Sequence, residues 1–233
     1  MDHDQRSLVL PWRLHEGGTE GGNPVPTLTD LARRLNLRRP AAAASACRLL
    51  PPLILMTDAD RLPDPAAAVA RLPRGSAVIL RHYGVPGRDA LARDLVALCR
   101  GRHIRVLIAA DARLARAVGA DGLHLPEAMA RRGPGIWQRW RRPDWIVTAA
   151  AHSRAALFRA ARAGADAALL SPVFWTASHP LAPALGPLRF AAWCRSSPLP
   201  VYALGGLSAL TARRLRAGGG AGFAGISGFT AES

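Results

Sequence analysis

Eight short apolar runs, amphipathic helices between them and a glycine-centred junction that recurs before three of the runs predict an α/β chain, a (β/α)8 TIM barrel. The runs are "LILMTD" from Leu53, "AVILRHY" from Ala77, "RVLIAAD" from Arg105 and "DGLHL" from Asp121. They continue with "WIVTAAAH" from Trp145, "DAALLS" from Asp166, "VYALGG" from Val201 and "GFAGIS" from Gly222. Each is apolar throughout rather than alternating, the pattern of a strand buried on both faces. Between them, Asp89 to Arg100, Ala112 to Val118, Ser153 to Ala163 and Ser208 to Ala217 read as Ala/Arg/Leu helices. Strand and helix in alternation give parallel strands with right-handed crossovers, and eight strands favour closure over an open sheet.

The junctions read "AVGADGLHL", "RAGADAALL" and "RAGGGAGFAGI": a helix end, a glycine, then the next strand. A glycine there ends the helix in a left-handed conformation. Ahead of the barrel, residues 1–50 form an N-terminal extension with one predicted helix, "LARRLNLRR", capped by Thr29 or Asp30. The Ala-rich run to Leu50 extends the helical bias. The barrel then spans 51–233. The sequence stops soon after the eighth run, so the last outer helix is expected to be shortened, with the N-terminal helix covering the gap.

The chain has 233 residues, 49% hydrophobic, enough for one well-buried core. Its formal charge is +15, yet all 31 basic residues are Arg and they are scattered through nearly every helix. That distribution is compositional and does not mark a nucleic-acid-binding face. The absence of Lys excludes chemistry that needs a desolvated amine nucleophile, such as a Schiff-base aldolase. Three widely spaced cysteines suggest neither a disulfide framework nor a metal site. No run approaches the roughly 20 apolar residues of a membrane span, and no signal pattern opens the chain, so a cytoplasmic protein is expected.

In such barrels chemistry lies at the C-terminal ends of the strands. That rule selects Thr57, Asp58, Arg81, His82, Tyr83, Asp111, His124, His152, Gly205-Gly206 and Ser227-Gly228, with the long loop "LLSPVFWTASHPLAPALGP" from Leu169. A loop so rich in proline cannot be helical, and its length suits a functional segment. Gly-rich ends on the last two strands let backbone N–H groups approach an anion. Each residue also has a plainer role. Asp58 caps a turn, Asp111 caps the next helix, His124 packs inside the mouth, and His152 is a helix-start residue beside Ser153. The run "RRGPGIWQRWRRPDW" (Arg131 to Trp145) could stack bases; it reads better as an outer helix whose Trp side chains pack on the barrel or on another subunit.

In order along the chain, "LMTD", "VILRHY", "LIAAD", "AVGADGLHLPE", "AAAHS", "GADAALLSPVFWTASHP", "PVYALGGL" and "AGISGF" resemble the superfamily of thiamine phosphate synthase and the TenI-type thiazole tautomerase. The resemblance covers the last three-quarters of the chain. In that family the loop after strand six reads Gly-Pro-(apolar)-(aromatic)-x-Thr-x-Thr-Lys, and its hydroxyls grip a thiazole phosphate. Here it implies that Thr176 and Ser178 supply the hydroxyls, that His179 stands in place of Lys, and that Gly205, Gly206, Ile226 and Ser227 complete the site. The strand-two motif Gln-x-Arg-x-Lys keeps only Arg81. Asn-Asp after strand three is Ala110-Asp111, and Gly-Gln-Glu-Asp after strand four is Pro126, Glu127, Ala128 and Met129.

These departures imply a degenerate pyrophosphate and metal site, and hence most directly a thiazole tautomerase without a cofactor. His152 would move the proton and Arg81 would neutralise a substrate anion. Two alternatives stay open. One is a divergent thiamine phosphate synthase that uses Mg2+ on Asp111 and Glu127. The other is a non-catalytic thiazole-phosphate-binding protein. The implied partner is the small-molecule thiazole phosphate, with a homo-oligomer also in view.

Overall fold

The computed structural model describes residues 26–37, 50–177, 180–215 and 218–226. Eight parallel strands close in sequence order, β1 (Leu53–Met56), β2 (Ala77–Leu80), β3 (Arg105–Ala109), β4 (Gly122–Leu125), β5 (Ile146–Ala151), β6 (Ala167–Leu170), β7 (Val201–Leu204) and β8 (Gly222–Gly225). β8 returns to β1 with Leu53 opposite Phe223. All eight predicted strands are present.

The helices are α1 (Leu28–Leu37), α2 (Pro65–Ala70), α3 (Arg88–Gly101), α4 (Ala112–Ala117), α5 (Glu127–Arg131), α6 (Arg154–Arg162), α7 (Gly186–Ser196) and α8 (Ala209–Ala212), the last running into a 3-10 turn at Arg213–Leu215. Alternation along the strands sorts their side chains into two cores. Leu53, Leu55, Val78, Leu80, Val106 and Ile108 pack outward against the helices. Ile54, Met56, Ile79, Leu107, Leu169 and Tyr202 fill the barrel interior. The Tyr202 hydroxyl donates to the Pro51 carbonyl at 2.6 Å and is buried at the N-terminal end of the barrel.

The repeated junction has a structural reason that reaches beyond the glycine. Gly119 (φ 67°) and Gly164 (φ 87°) are both left-handed. The following amides, Ala120 and Ala165, reach back to the carbonyls of Ala115 and Ala160 at 2.9 and 3.1 Å, closing each helix end. The next residue is Asp in both units. Asp121 accepts the Val106 amide at 2.8 Å and Asp166 the Val147 amide at 2.7 Å. Each Gly-Ala-Asp therefore ends one helix and fastens the adjoining strand.

Helix α1 places Leu28, Leu31, Ala32 and Leu35 on one buried face, at helical spacing. That face packs over β8 and β1, and the Asn36 amide donates to the Ala221 carbonyl at 2.6 Å. Its cap is neither Thr29 nor Asp30 as cap residue, because Thr27 takes that place. The Asp30 amide donates to Thr27 Oγ1 at 3.2 Å while Asp30 Oδ2 accepts from the Thr27 amide and hydroxyl, a reciprocal capping box. The Ala-rich run to Leu50 and the segment after β8 lie outside the described residues.

The Arg/Trp run is not one outer helix. Gly133 (φ 75°) and Pro134 separate α5 from a 3-10 turn at Ile136–Trp140. Its Trp137 and Trp145 are buried in the outer core, and Arg113 lies 5.6 Å over the Trp140 ring. The tryptophans thus pack on the barrel and present no base-stacking face. The expected helix from Ser208 is shorter than predicted, ending at Ala212 before the 3-10 turn. Among the described residues no helix is long and apolar enough to cross a membrane.

Candidate active site

The inward-facing rows continue past the strand ends and define the mouth. Asp58 follows Met56 by two residues, Arg81 follows Ile79, and His152 follows Ala150, so each extends the interior row of its strand. Arg81 is held by its own backbone: its amide donates to Thr57 Oγ1 at 3.0 Å, and its guanidinium meets Asp58 Oδ2 at 3.2 Å. Asp58 also accepts from the Arg61 side chain and from the Asp60 and Arg61 amides. The Arg61 hydrogen bond, helped by Arg81, holds the Asp58 carboxyl below its ordinary value despite partial burial. The turn-capping role read from the sequence is therefore real, and a guanidinium is stationed beside it.

His124 and Thr148 face each other on β4 and β5, with Nδ1 to Oγ1 at 2.9 Å. Burial, with a smaller contribution from Arg81, pushes the imidazole down to about 3. His124 is thus a neutral interior residue beneath the mouth. On the outer face Thr57 Oγ1 and His82 Nδ1 are 2.8 Å apart, both buried, so His82 packs behind the wall. Tyr83 is half exposed with Arg88 at 5.9 Å over its ring.

The loop after β6 is fastened at both ends. The Ser171–Pro172 peptide is cis, and the Val173 and Phe174 amides donate to the carbonyls of Leu204 and Gly205 at 2.9 and 3.1 Å. At the far end Leu185 and Gly186 donate back to Pro172 and Val173. Gly206 (φ 64°) has no room for a side chain, since a Cβ would collide with the Trp175 carbonyl and come within 2.8 Å of Phe174 Cβ. Gly205 (φ 94°) is less tightly enclosed, a Cβ there coming within 3.0 Å of Pro172 Cα, and the Thr211 hydroxyl fixes the Gly206 carbonyl at 2.9 Å. This contact sets Thr176, the residue after Trp175, beside the end of β7. Ile226 is half-buried and packs on the interior core. Ser178, His179 and Ser227 lie outside the described residues.

Glu127 opens α5 and, like Asp58, is held by donors from several residues. Its Oε2 accepts the His152 amide at 3.0 Å and lies 2.7 Å from His152 Nδ1. Its Oε1 accepts from Arg159 at 3.0 Å, with Arg131 at 3.6 Å. Burial raises this carboxyl, but the hydrogen bonds from His152 and Arg159 outweigh that and hold it below its ordinary value. Asp111 caps α4, accepting the Leu114 amide at 2.9 Å with Arg88 3.9 Å away. Arg88 itself donates to the Ala109 carbonyl at 2.6 Å.

Magnesium prefers uncommitted hard oxygens, supplied by one or two carboxylates plus substrate phosphates. One Asp111 oxygen caps α4 and the other lies 3.9 Å from Arg88, while both oxygens of Glu127 are engaged with cationic or N–H donors. Among the described residues no cluster of three potential metal ligands occurs. The donor set does not fit a two-carboxylate magnesium site.

The sequence named Glu127 and His152 separately and missed their pairing, along with Arg88 and Arg159. The pairing arises because Leu125 lies opposite Ala149 on adjacent strands, which brings the two following loops together.

Fold and mouth together define a (β/α)8 barrel with a pinned, glycine-lined cradle at β6–β7 and charged side chains around β1–β5. The family model described as thiamine monophosphate synthase matches residues 53–229, and the chain belongs to that family. A thiamine-phosphate synthase of Chlorobium luteolum is 34% identical over 196 residues, covering 78% of this chain and 87% of the relative. One from Methanoculleus marisnigri is 33% identical over 174 residues, covering 71% and 79%. Thiamine phosphate pyrophosphorylase from Pyrococcus furiosus superposes with a TM-score of 0.62 at 25% identity, over 79% of this chain and 89% of that one. The Chlorobium and Methanoculleus relatives bear the synthase name, which favours the synthase alternative over the tautomerase expected from the degenerate motifs.

Proposed function

We propose that the chain is an enzyme of thiamine biosynthesis that binds a thiazole phosphate over the ends of β6–β8 and joins it to a pyrimidine pyrophosphate. The observation that carries this reading is the cradle, where the loop after β6 is hydrogen-bonded to β7 and closes on a glycine that admits no side chain. Thr176, Ser178, His179, Gly205, Gly206, Ile226 and Ser227 would hold the phosphate. Arg81, across the mouth, would face the charge that develops on the departing pyrophosphate. The names of the relatives support the joining reaction.

A second reading, thiazole tautomerisation, is favoured by the 2.7 Å contact between Glu127 and His152. An imidazole beside a carboxylate can both take and give a proton near neutral pH.

One experiment separates the two. The protein is incubated with thiazole phosphate and pyrimidine pyrophosphate, with and without Mg2+, and thiamine phosphate and pyrophosphate are measured. Formation of both products supports the synthase. Aromatisation of a thiazole carboxylate phosphate alone supports the tautomerase. Calorimetric binding without either turnover leaves a binding protein and overturns both enzymatic readings.

A further inference from the structure

We propose that Glu127 is a positioning residue that holds His152 as its Nδ1–H tautomer and leaves Nε2 as the open base at the mouth. The inference rests on the reading that His152 moves a proton in the chemistry of this site. An ionised carboxylate only accepts hydrogen bonds. Glu127 Oε2 lies 2.7 Å from Nδ1, so Nδ1 carries the ring proton in this contact. The same oxygen accepts the His152 amide at 3.0 Å. Ring and backbone of one residue are thus fixed to a single atom, which sets both the position and the rotation of the imidazole.

The carboxylate is itself prevented from turning. Arg159, from the helix that follows β5, binds Oε1 at 3.0 Å, and Arg131 approaches the same oxygen at 3.6 Å. Glu127 is mostly buried while the His152 side chain is 53% exposed, so the acid lies behind the ring and the ring faces solvent. Among the described residues Nε2 has no partner. When Nε2 takes a proton, the charge on the imidazolium meets an anion already in place.

A purely structural role, a staple between the β4 and β5 loops, makes a different demand. The variant Glu127→Leu keeps roughly the size and removes both acceptor oxygens, so nothing holds the proton on Nδ1 and the ring is free to carry it on Nε2. The control Ser153→Ala loosens the same loop by removing the α6 cap, at 3.1 Å from the Ala156 amide, without touching the ring.

The test is nitrogen-15 NMR of the histidine rings in the full chain, with His152→Ala assigning the signal. In the unaltered protein Nδ1 is expected to be protonated and Nε2 bare. E127L should abolish that preference for Nδ1–H and lower kcat for thiazole turnover by about 10- to 100-fold, with KM changed less than about threefold. S153A should leave ring spectrum and kcat alone. An Nε2–H ring in the unaltered protein, an unchanged E127L spectrum, or a kcat loss reproduced by S153A would each overturn the proposal. If the unaltered protein turns over neither thiazole substrate, the functional reading fails, and the ring spectra still decide whether Glu127 positions His152.

Discussion

The two sides of the mouth are built on opposite principles. At β6–β7 the chain brings backbone and small residues together, with Gly205 and Gly206 pressed against Pro172, Phe174 and Trp175. Around β1–β5 it brings charged side chains together, and its carboxylates there are matched with arginine: Asp58 with Arg61 and Arg81, Asp111 with Arg88, Glu127 with Arg159 and Arg131. One side is shaped by close backbone packing. The other has its negative charge neutralised in advance, which suits an incoming phosphate better than a divalent cation. One mouth can thus be built by backbone geometry on one side and by charged side chains on the other.

The most severe way to break the cradle is Gly206→Ala. Its left-handed backbone disfavours a side chain, and the new Cβ would strike the Trp175 carbonyl. We expect a loss of about 2–4 kcal/mol in stability and at least a tenfold loss of thiazole-phosphate affinity. Chemical denaturation and calorimetric titration measure the two. Near-normal affinity would show that the anion is not held at β7.

Arg81→Met tests the other side. It removes a guanidinium aimed at the mouth and leaves Asp58 with Arg61 alone. Turnover of the pyrimidine pyrophosphate should fall about 100-fold, while thiazole-phosphate affinity changes less than about twofold. Equal losses in both would mean that the two sides are not independent.

A smaller effect follows from acid. Asp58 and Glu127 have carboxyls held below their ordinary values of 3.8 and 4.5, by hydrogen bonds from Arg61 in one case and from His152 and Arg159, against burial, in the other. A depressed folded value means that these groups stabilise the fold fully above the unfolded value and lose that contribution as pH falls through the folded one. Thermal stability should therefore hold from neutrality down to about pH 5 and decline below it. In E127Q the decline should be shallower. An identical acid limb in E127Q would show that Glu127 contributes nothing to it.

The strands were legible because burial on both faces turns each into an unbroken apolar run, and the inward rows to Asp58, Arg81 and His152 then follow from alternation. The cap of α1 was visible as Thr27-Leu28-Thr29-Asp30, but an adjacent Thr offered a competing cap that only geometry could reject. The Arg/Trp run carried its own breaker in Gly133-Pro134-Gly135, although its place between two strands of a barrel favoured an outer helix. The Glu127–His152 pair was illegible in another way. Its members are 25 positions apart in the chain and meet through the pairing of two neighbouring strands.

The subtlest difference between the two sides is a residue with the wrong backbone preference. Ala110, just past β3, is left-handed at φ 64°, and its amide still donates to the His124 carbonyl at 2.9 Å. The Asn that the family resemblance places there adopts this conformation more readily, whereas Ala adopts it at a cost. The strain is about 1–2 kcal/mol, and glycine at this position would give back about 0.4–1 kcal/mol through the unfolded chain. Ala110→Gly should thus stabilise the protein by about 0.5–1 kcal/mol, seen as a raised denaturant midpoint with an unchanged slope. Thiazole-phosphate affinity should not move, because Ala110 lies on the charged side. A gain in stability with altered thiazole binding would show that β3 and β7 share one ligand, and the division of the mouth would have to be redrawn.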